Sequence, residues 1–214
     1  MLFTLLTVML QLFVAPLCAE STAQDLLAKH HLIQETDASC SLASITILLN
    51  SALELQGRNP YTQEEVLQYV NNPAWSAGTA NGGNGASLKQ LGGYLVEALD
   101  CFDIPYSSVT VFHYSNDTEE ARELFKESLS GVTTMVIANF DIYDVLPVDE
   151  HIGHFSPVAT YENGQFLVLD VAKDLVDIGW QNGPHWVDEN KLFKGMHTHN
   201  TENTDWRGYV VLEL

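Results

Sequence analysis

Between Cys40 and Leu55 runs a stretch that most constrains how this chain can fold. Leu42, Ala43, Ile45, Ile47, Leu48, Leu49, Ala52, Leu53 and Leu55 fall on nearly every side of a 3.6-residue helical wheel. A helix without a polar face cannot sit at a surface, so it predicts a central helix enclosed by the rest of the domain. Ser39 is placed to cap its start and Gly57 follows its end. Cys40 therefore stands at the N-terminus of the most buried element. Backbone N–H groups point outward there, and the partial positive charge favours a thiolate.

Other elements can be set around this helix. Ser21 to Leu32 suggests a short helix. Thr62 with Glu65 forms a capping box for a helix to about Val70. Asn71 to Ala86, rich in Gly and Asn, suggests a mobile loop, and Ser87 caps a helix over Leu88 to Leu99. A strand is expected over Ser108 to His113 and a helix over Asp117 to Leu129. Strands then dominate: Thr133 to Phe140, a hairpin of His154 to Tyr161 with Gln165 to Val171, and Arg207 to Leu214. A short helix capped by Asp188 reaches about Lys194. Helices first and an antiparallel sheet afterwards define an α+β fold of two packed lobes.

The first nineteen residues stand apart. Leu2 to Leu17 is a nearly unbroken apolar run, too short for a comfortable membrane span, and polar sequence starts at Glu20. We expect a signal peptide over residues 1–19, cleaved after Ala19, and a single catalytic domain over 20–214 of an exported, periplasmic or secreted protein. Cleavage leaves two cysteines, Cys40 and Cys101. Cys101 lies between a helix and a strand and is expected to be a buried thiol, unpaired with Cys40.

Charge narrows the partners. The formal net charge is −19, and all nine Lys and Arg lie beyond residue 28. Such a surface repels a phosphate backbone, so nucleic acid is excluded, and after signal cleavage membrane is as well. An anionic ligand needs one of a few local cations: Lys173, Lys191, Lys194 or Arg207.

A cysteine at a helix start becomes a nucleophile when an imidazole takes its proton and an acceptor orients that imidazole. Among eight histidines, His154 is the one that opens a strand and is followed across a hairpin by a carboxylate, Asp170, interrupting the apolar run Phe166 to Leu169. A two-residue Asn163-Gly164 loop would put the pair on opposite faces of the sheet. A three-residue loop with Gly164 as a bulge puts them on one face, and this is the register expected. Gln34, six residues before Cys40, offers a side-chain amide to an oxyanion hole.

These residues lie in motifs that resemble the phytochelatin synthase family of the papain-like cysteine peptidase clan. The segments are Gln34…Cys40-Ser41-Leu42-Ala43-Ser44, Gly153-His154-Phe155-Ser156-Pro157-Val158, Leu169-Asp170-Val171-Ala172-Lys173, Pro184-His185-Trp186-Val187 and Arg207-Gly208-Tyr209. The resemblance implies a papain-like two-lobe fold in which Cys40, His154 and Asp170 cleave the Cys–Gly amide of glutathione. The γ-glutamylcysteinyl-enzyme would pass its acyl group to water or to a second glutathione. It also implies Ser156, Lys173 and Arg207 as substrate-binding residues and a link to heavy-metal response. No catalytic cofactor and no protein metal site are expected, with Cd or Zn entering as a thiolate complex of the substrate. Oligomeric state, including a homodimer, stays open.

Three departures bear on the acceptor. Ser41 follows the nucleophile where Gly is usual, Lys173 stands where Arg is common, and residues 174–184 form a long connection. Lys keeps the charge but lacks the bidentate fork, so hydrolysis is expected to outweigh transfer. Two other readings differ in class. One is a papain-like peptidase of other specificity. The other is a metal-binding protein without catalysis, using His185, His197 and His199.

Overall fold

The computed structural model describes residues 22–146, 148–173, 183–199 and 205–214. The leader lies outside them, as does most of the 174–184 connection. Five helices come first: α1 (Ala23–Lys29), α2 (Cys40–Leu55), α3 (Gln63–Val70), α4 (Pro73–Thr79) and α5 (Leu88–Cys101). Then follow β1 (Ser108–His113), α6 (Glu119–Ser128), β2 (Thr134–Asp141), α7 (Ile142–Val145), β3 (Gly153–Glu162), β4 (Gln165–Asp170), β5 (Gly183–Asp188), α8 (Glu189–Met196) and β6 (Gly208–Glu213).

Every residue of α2 from Cys40 to Leu53 is buried. Its polar side chains are mostly partnered inside the helix lobe: Asn50 donates to and accepts from the Tyr61 backbone at 2.9 and 2.8 Å, Ser51 donates to the Ile47 carbonyl, and Ser41 accepts from the Trp75 indole at 3.2 Å. Such pairing is what allows polar groups inside a dry element. The Gly- and Asn-rich stretch expected to be a loop contains α4, capped by Asn72 with Pro73 in its first turn. Its indole, Trp75, is fully buried and stacks on Tyr94.

The strands form one antiparallel sheet in the order β1-β6-β2-β3-β4-β5. Along β2, Met135 and Ile137 pack in the cluster with α2, while Val136, Ala138 and Phe140 pack in a second cluster with α8 and Phe125. Helices thus cover both faces, which is why the strands are apolar at consecutive positions rather than alternating. The fold is α+β and papain-like, with the cysteine helix central and packed against the antiparallel sheet. Strand β5 and helix α7 were not anticipated, the former because Gly183-Pro184 masks its start.

Candidate active site

Four strand ends meet the start of α2. In an antiparallel sheet β2 and β4 end on the side where β3 and β6 begin, and that side carries Asp141, Asp170, His154 and Arg207. Cys40 opens α2 beside them. The His154 imidazole and the backbone at Phe155 and Ser41 lie near its thiol and stabilise the thiolate. His154 Nε2 lies 2.9 Å from Asp170 Oδ1, which leaves Nδ1 for the cysteine. Asp170 Oδ1 also accepts from the Ala172 N–H at 3.0 Å, and its backbone carbonyl accepts from His31 Nε2 at 2.7 Å. Asn139 Nδ2 donates to the His154 carbonyl at 3.1 Å and fixes the strand that carries the imidazole.

Burial governs the charge state of this group. It favours a neutral thiol at Cys40, but the hydrogen bond and charge of His154 and the two backbone donors outweigh it and hold the thiol below its ordinary value. Burial likewise favours a neutral imidazole at His154, and is outweighed by Asp170 and Cys40, which raise it well above the usual histidine range. Both shifts run toward a thiolate–imidazolium pair, the reactive form of a cysteine nucleophile.

The hairpin reaches this geometry by another route than expected. Asn163 and Gly164 both have positive φ, 52° and 80°, and form a two-residue turn with Tyr161 opposite Phe166. Left alone, that register would separate the dyad. A bulge at Ala159 between Val158 and Thr160 adds one residue to β3, so that Val158 pairs with Val168. Carried on, the pairing sets Ser156 opposite Asp170 and His154 on the same face.

The other site residues fare unequally. Gln34 is buried near the loop before Cys40, but its Nε2 donates to the carbonyls of Thr36 at 2.8 Å and Asp37 at 3.2 Å. Both amide hydrogens are committed, so the oxyanion-hole assignment is not met in this geometry, while Oε1 is buried without a partner. The loop curls back on its own amide, which residue spacing does not reveal. The Cys40 N–H makes no hydrogen bond among the described residues and remains as a donor. Ser39 turns its hydroxyl to Thr36 rather than capping α2, so its side chain takes none of the amides of that end. Ser156 is fully buried behind the dyad, 3.4 Å from Asp170, and cannot touch substrate. Lys173 donates to the Glu35 carbonyl at 3.0 Å and does not line the cavity.

Arg207 does line it. The cavity, about 340 Å³, is bounded by Cys40, Asp37, Asn139, His151, Arg207 and the Gly83–Ala86 wall, among others. Asn139, Asp141 and His151 were missed from sequence. The signal was present: along β2 the face bearing Met135 and Ile137 turns polar at Asn139 and Asp141, where the sheet opens to the cleft. A second groove of about 600 Å³ shares the Gly83–Ala86 wall and has no charged lining residue. Cys101 is exposed rather than buried, at the end of α5, and both described cysteines are free. No trio of His, Cys, Asp or Glu among the described residues is arranged to hold a metal, and no described helix is long and apolar enough to cross a membrane.

A buried cysteine–histidine–aspartate relay at the start of a central helix, packed on an antiparallel sheet, is the apparatus of a papain-like cysteine enzyme. The family model described as phytochelatin synthase matches residues 12–209, and the chain belongs to that family. Among solved structures it is similar to the peptidase domain of Streptococcus ComA, a bifunctional ABC transporter, at 12% identity over 85% of this chain and 96% of that one, with a TM-score of 0.46. No match was found among curated proteins.

Proposed function

We propose that this enzyme cleaves the Cys–Gly amide of glutathione-type thiol peptides. Cys40 Sγ attacks the carbonyl carbon and His154 gives its proton to the departing glycine amine. The γ-glutamylcysteinyl thioester remains on Cys40. Water or the amine of a second glutathione then attacks it, His154 takes the attacking proton, and the thiolate is released. Asp170 keeps the imidazole oriented throughout and stabilises its charged form whenever it holds the proton. The observation that carries this reading is Cys40 set beside the hydrogen-bonded His154–Asp170 pair, on a cavity whose cation, Arg207, is built in.

Arg207 supplies the carboxylate contact that an acidic protein needs for an anionic substrate. With Lys173 turned outward, one guanidinium does most of the orienting, and water needs no such site. Hydrolysis to γ-Glu-Cys and glycine therefore outweighs transfer. We place the mature protein outside the cytoplasm after loss of the leader, with heavy metal entering only as a substrate thiolate complex. Incubation with glutathione, with and without Cd²⁺, followed by mass analysis, tests the reading. γ-Glu-Cys with glycine is expected, (γ-Glu-Cys)2-Gly as a minor product, and neither from Cys40→Ala. The uncharged second groove favours one competing reading, a peptidase for longer peptides; robust cleavage of such peptides with no glycine released from glutathione would select it.

A further inference from the structure

The segment His197-Thr198-His199 suits a metal site by composition, yet its side chains converge on something else. Trp206 packs against two imidazoles: His197 stacks on it with centroids 4.9 Å apart and planes at 9°, and His199 approaches at 3.8 Å. The backbones of His199 and Trp206 bridge, and His113 Nδ1 donates to the Trp206 carbonyl at 2.8 Å. The next residue is Arg207. Its N–H donates to the Thr198 carbonyl at 3.0 Å, and its carbonyl accepts from the Tyr114 N–H at 2.8 Å. The backbone of the cavity's arginine is therefore held on both sides.

Its side chain is held as well. Arg207 Nε donates to Thr198 Oγ1 at 2.9 Å, and that hydroxyl donates in turn to the Gly195 carbonyl at 2.7 Å. The hydroxyl hydrogen is thereby committed to Gly195, and its lone pair faces the guanidinium. Gly195 lies close to β2, where an added Cβ would fall 3.1 Å from the Asp141 carbonyl, so this end of α8 is fixed against the sheet. On the far side, an added Cβ at Gly153 would lie 2.2 Å from Arg207 Nη1, so only glycine leaves room for the fork. Arg207 is 4% exposed, yet Nη1 and Nη2 make no hydrogen bond among the described residues. The nearest carboxylate, Asp141 Oδ2, is 3.8 Å from Nη2 and already bonded to His151 Nδ1 at 3.1 Å. A buried guanidinium with its ε nitrogen tied and its fork open into the cavity is prepared to receive a planar anion.

We propose that Thr198 is a positioning residue, which with the Trp206 clamp aims the Arg207 fork at a substrate carboxylate next to Cys40. This rests on the reading of Arg207 as the substrate's carboxylate ligand. The test separates the two by using small alkylating probes besides glutathione. Iodoacetate carries a carboxylate and iodoacetamide does not, and both react at the Cys40 thiolate. The ratio of their rates, referred to free cysteine, reports the fork without any assumption about the natural substrate. Wild type is expected to favour iodoacetate relative to free cysteine. Thr198→Val is expected to lower that preference about 10-fold or more, the loss of a hydrogen bond to a charged group. It should raise the KM for glutathione in step, with kcat and iodoacetamide reactivity little changed. Thr198→Ser should restore the preference, and Gly153→Ala, which crowds Nη1 from the other side, should lose it. A folded Thr198→Val protein with wild-type preference, or a wild type with no preference, overturns the proposal. Should the preference respond as predicted while glutathione yields no glycine, the glutathione reading falls and the positioning role of Thr198 stands.

Discussion

Asp170→Asn isolates what the carboxylate charge does for the relay. The Asn side chain has almost the same shape, and its carbonyl can still accept from the Ala172 N–H that now lies 3.0 Å from Oδ1. What disappears is a buried negative charge 2.9 Å from the imidazole. An opposite charge at such range shifts a titration by roughly 1–3 units, or about 1.4–4 kcal/mol of preference for imidazolium. Asp170 raises His154, so its removal lowers His154. The imidazolium that must protonate departing glycine is then lost at lower pH. The alkaline limb of kcat/KM for glycine release should move down by about 1–3 pH units, and the rate at neutral pH should fall. Thiolate absorbance in the ultraviolet, titrated in parallel, should show Cys40 rising toward an ordinary thiol, because its cationic partner is less populated. A thermal melt establishes that the variant is folded. An alkaline limb that stays in place in a folded Asp170→Asn enzyme would refute the electrostatic role of Asp170.

Three further substitutions probe the surroundings. Gln34→Ala removes donors already committed to Thr36 and Asp37. It should cost about 1–3 kcal/mol in stability and lower kcat by well under the roughly 10²–10³ of a lost oxyanion donor; a loss in that larger range would put the Gln34 amide on the reacting carbonyl. Lys173→Arg should leave the ratio of γ-Glu-Cys to (γ-Glu-Cys)2-Gly unchanged, since Lys173 bonds to the Glu35 carbonyl outside the cavity. A rise in transfer measured by mass analysis would return Lys173 to the acceptor path. Gly83→Ala would drive a Cβ to 2.3 Å from the Gly78 carbonyl oxygen and 2.7 Å from that of Ala77. Because both neighbours are backbone, overpacking of about 1–3 kcal/mol and a raised KM are expected; wild-type melting and KM would show that the wall gives way freely.

Much of this architecture was legible in residue order, because local physics and tertiary packing agree. The all-round apolar helix Cys40–Leu55, the capping box at Thr62, the cap at Ser87 and the strand Ser108–His113 appear where patterning puts them. His154 and Asp170 were legible as polar residues breaking apolar strands at the sheet end. The bulge was not: Ala159 is an ordinary strand residue, and nothing local marks it as the extra residue that aligns the dyad. The partners of Gln34 were not legible, because spacing reports how far a side chain can reach, not what its hydrogen bonds choose. Ser156 sits on the face of His154 but is buried against Asp170, and Lys173 bonds to Glu35 outside the cavity, matters of depth and loop course that the motifs do not show. Arg207 was legible as a scarce cation in an acidic chain. What surrounds it, Thr198 just past α8 and Gly153 at the start of β3, emerges only once the sheet and α8 are assembled.

The account's central claim is that Cys40 carries the acyl group. Intact-protein mass measurement after rapid mixing with glutathione and an acid quench tests it directly. The wild-type chain should gain the mass of one γ-glutamylcysteinyl group, mapped by digestion to the peptide containing Cys40, and that adduct should decay as γ-Glu-Cys accumulates. Glycine release with no adduct on Cys40 at any time point, or release that persists in Cys40→Ala, would contradict it.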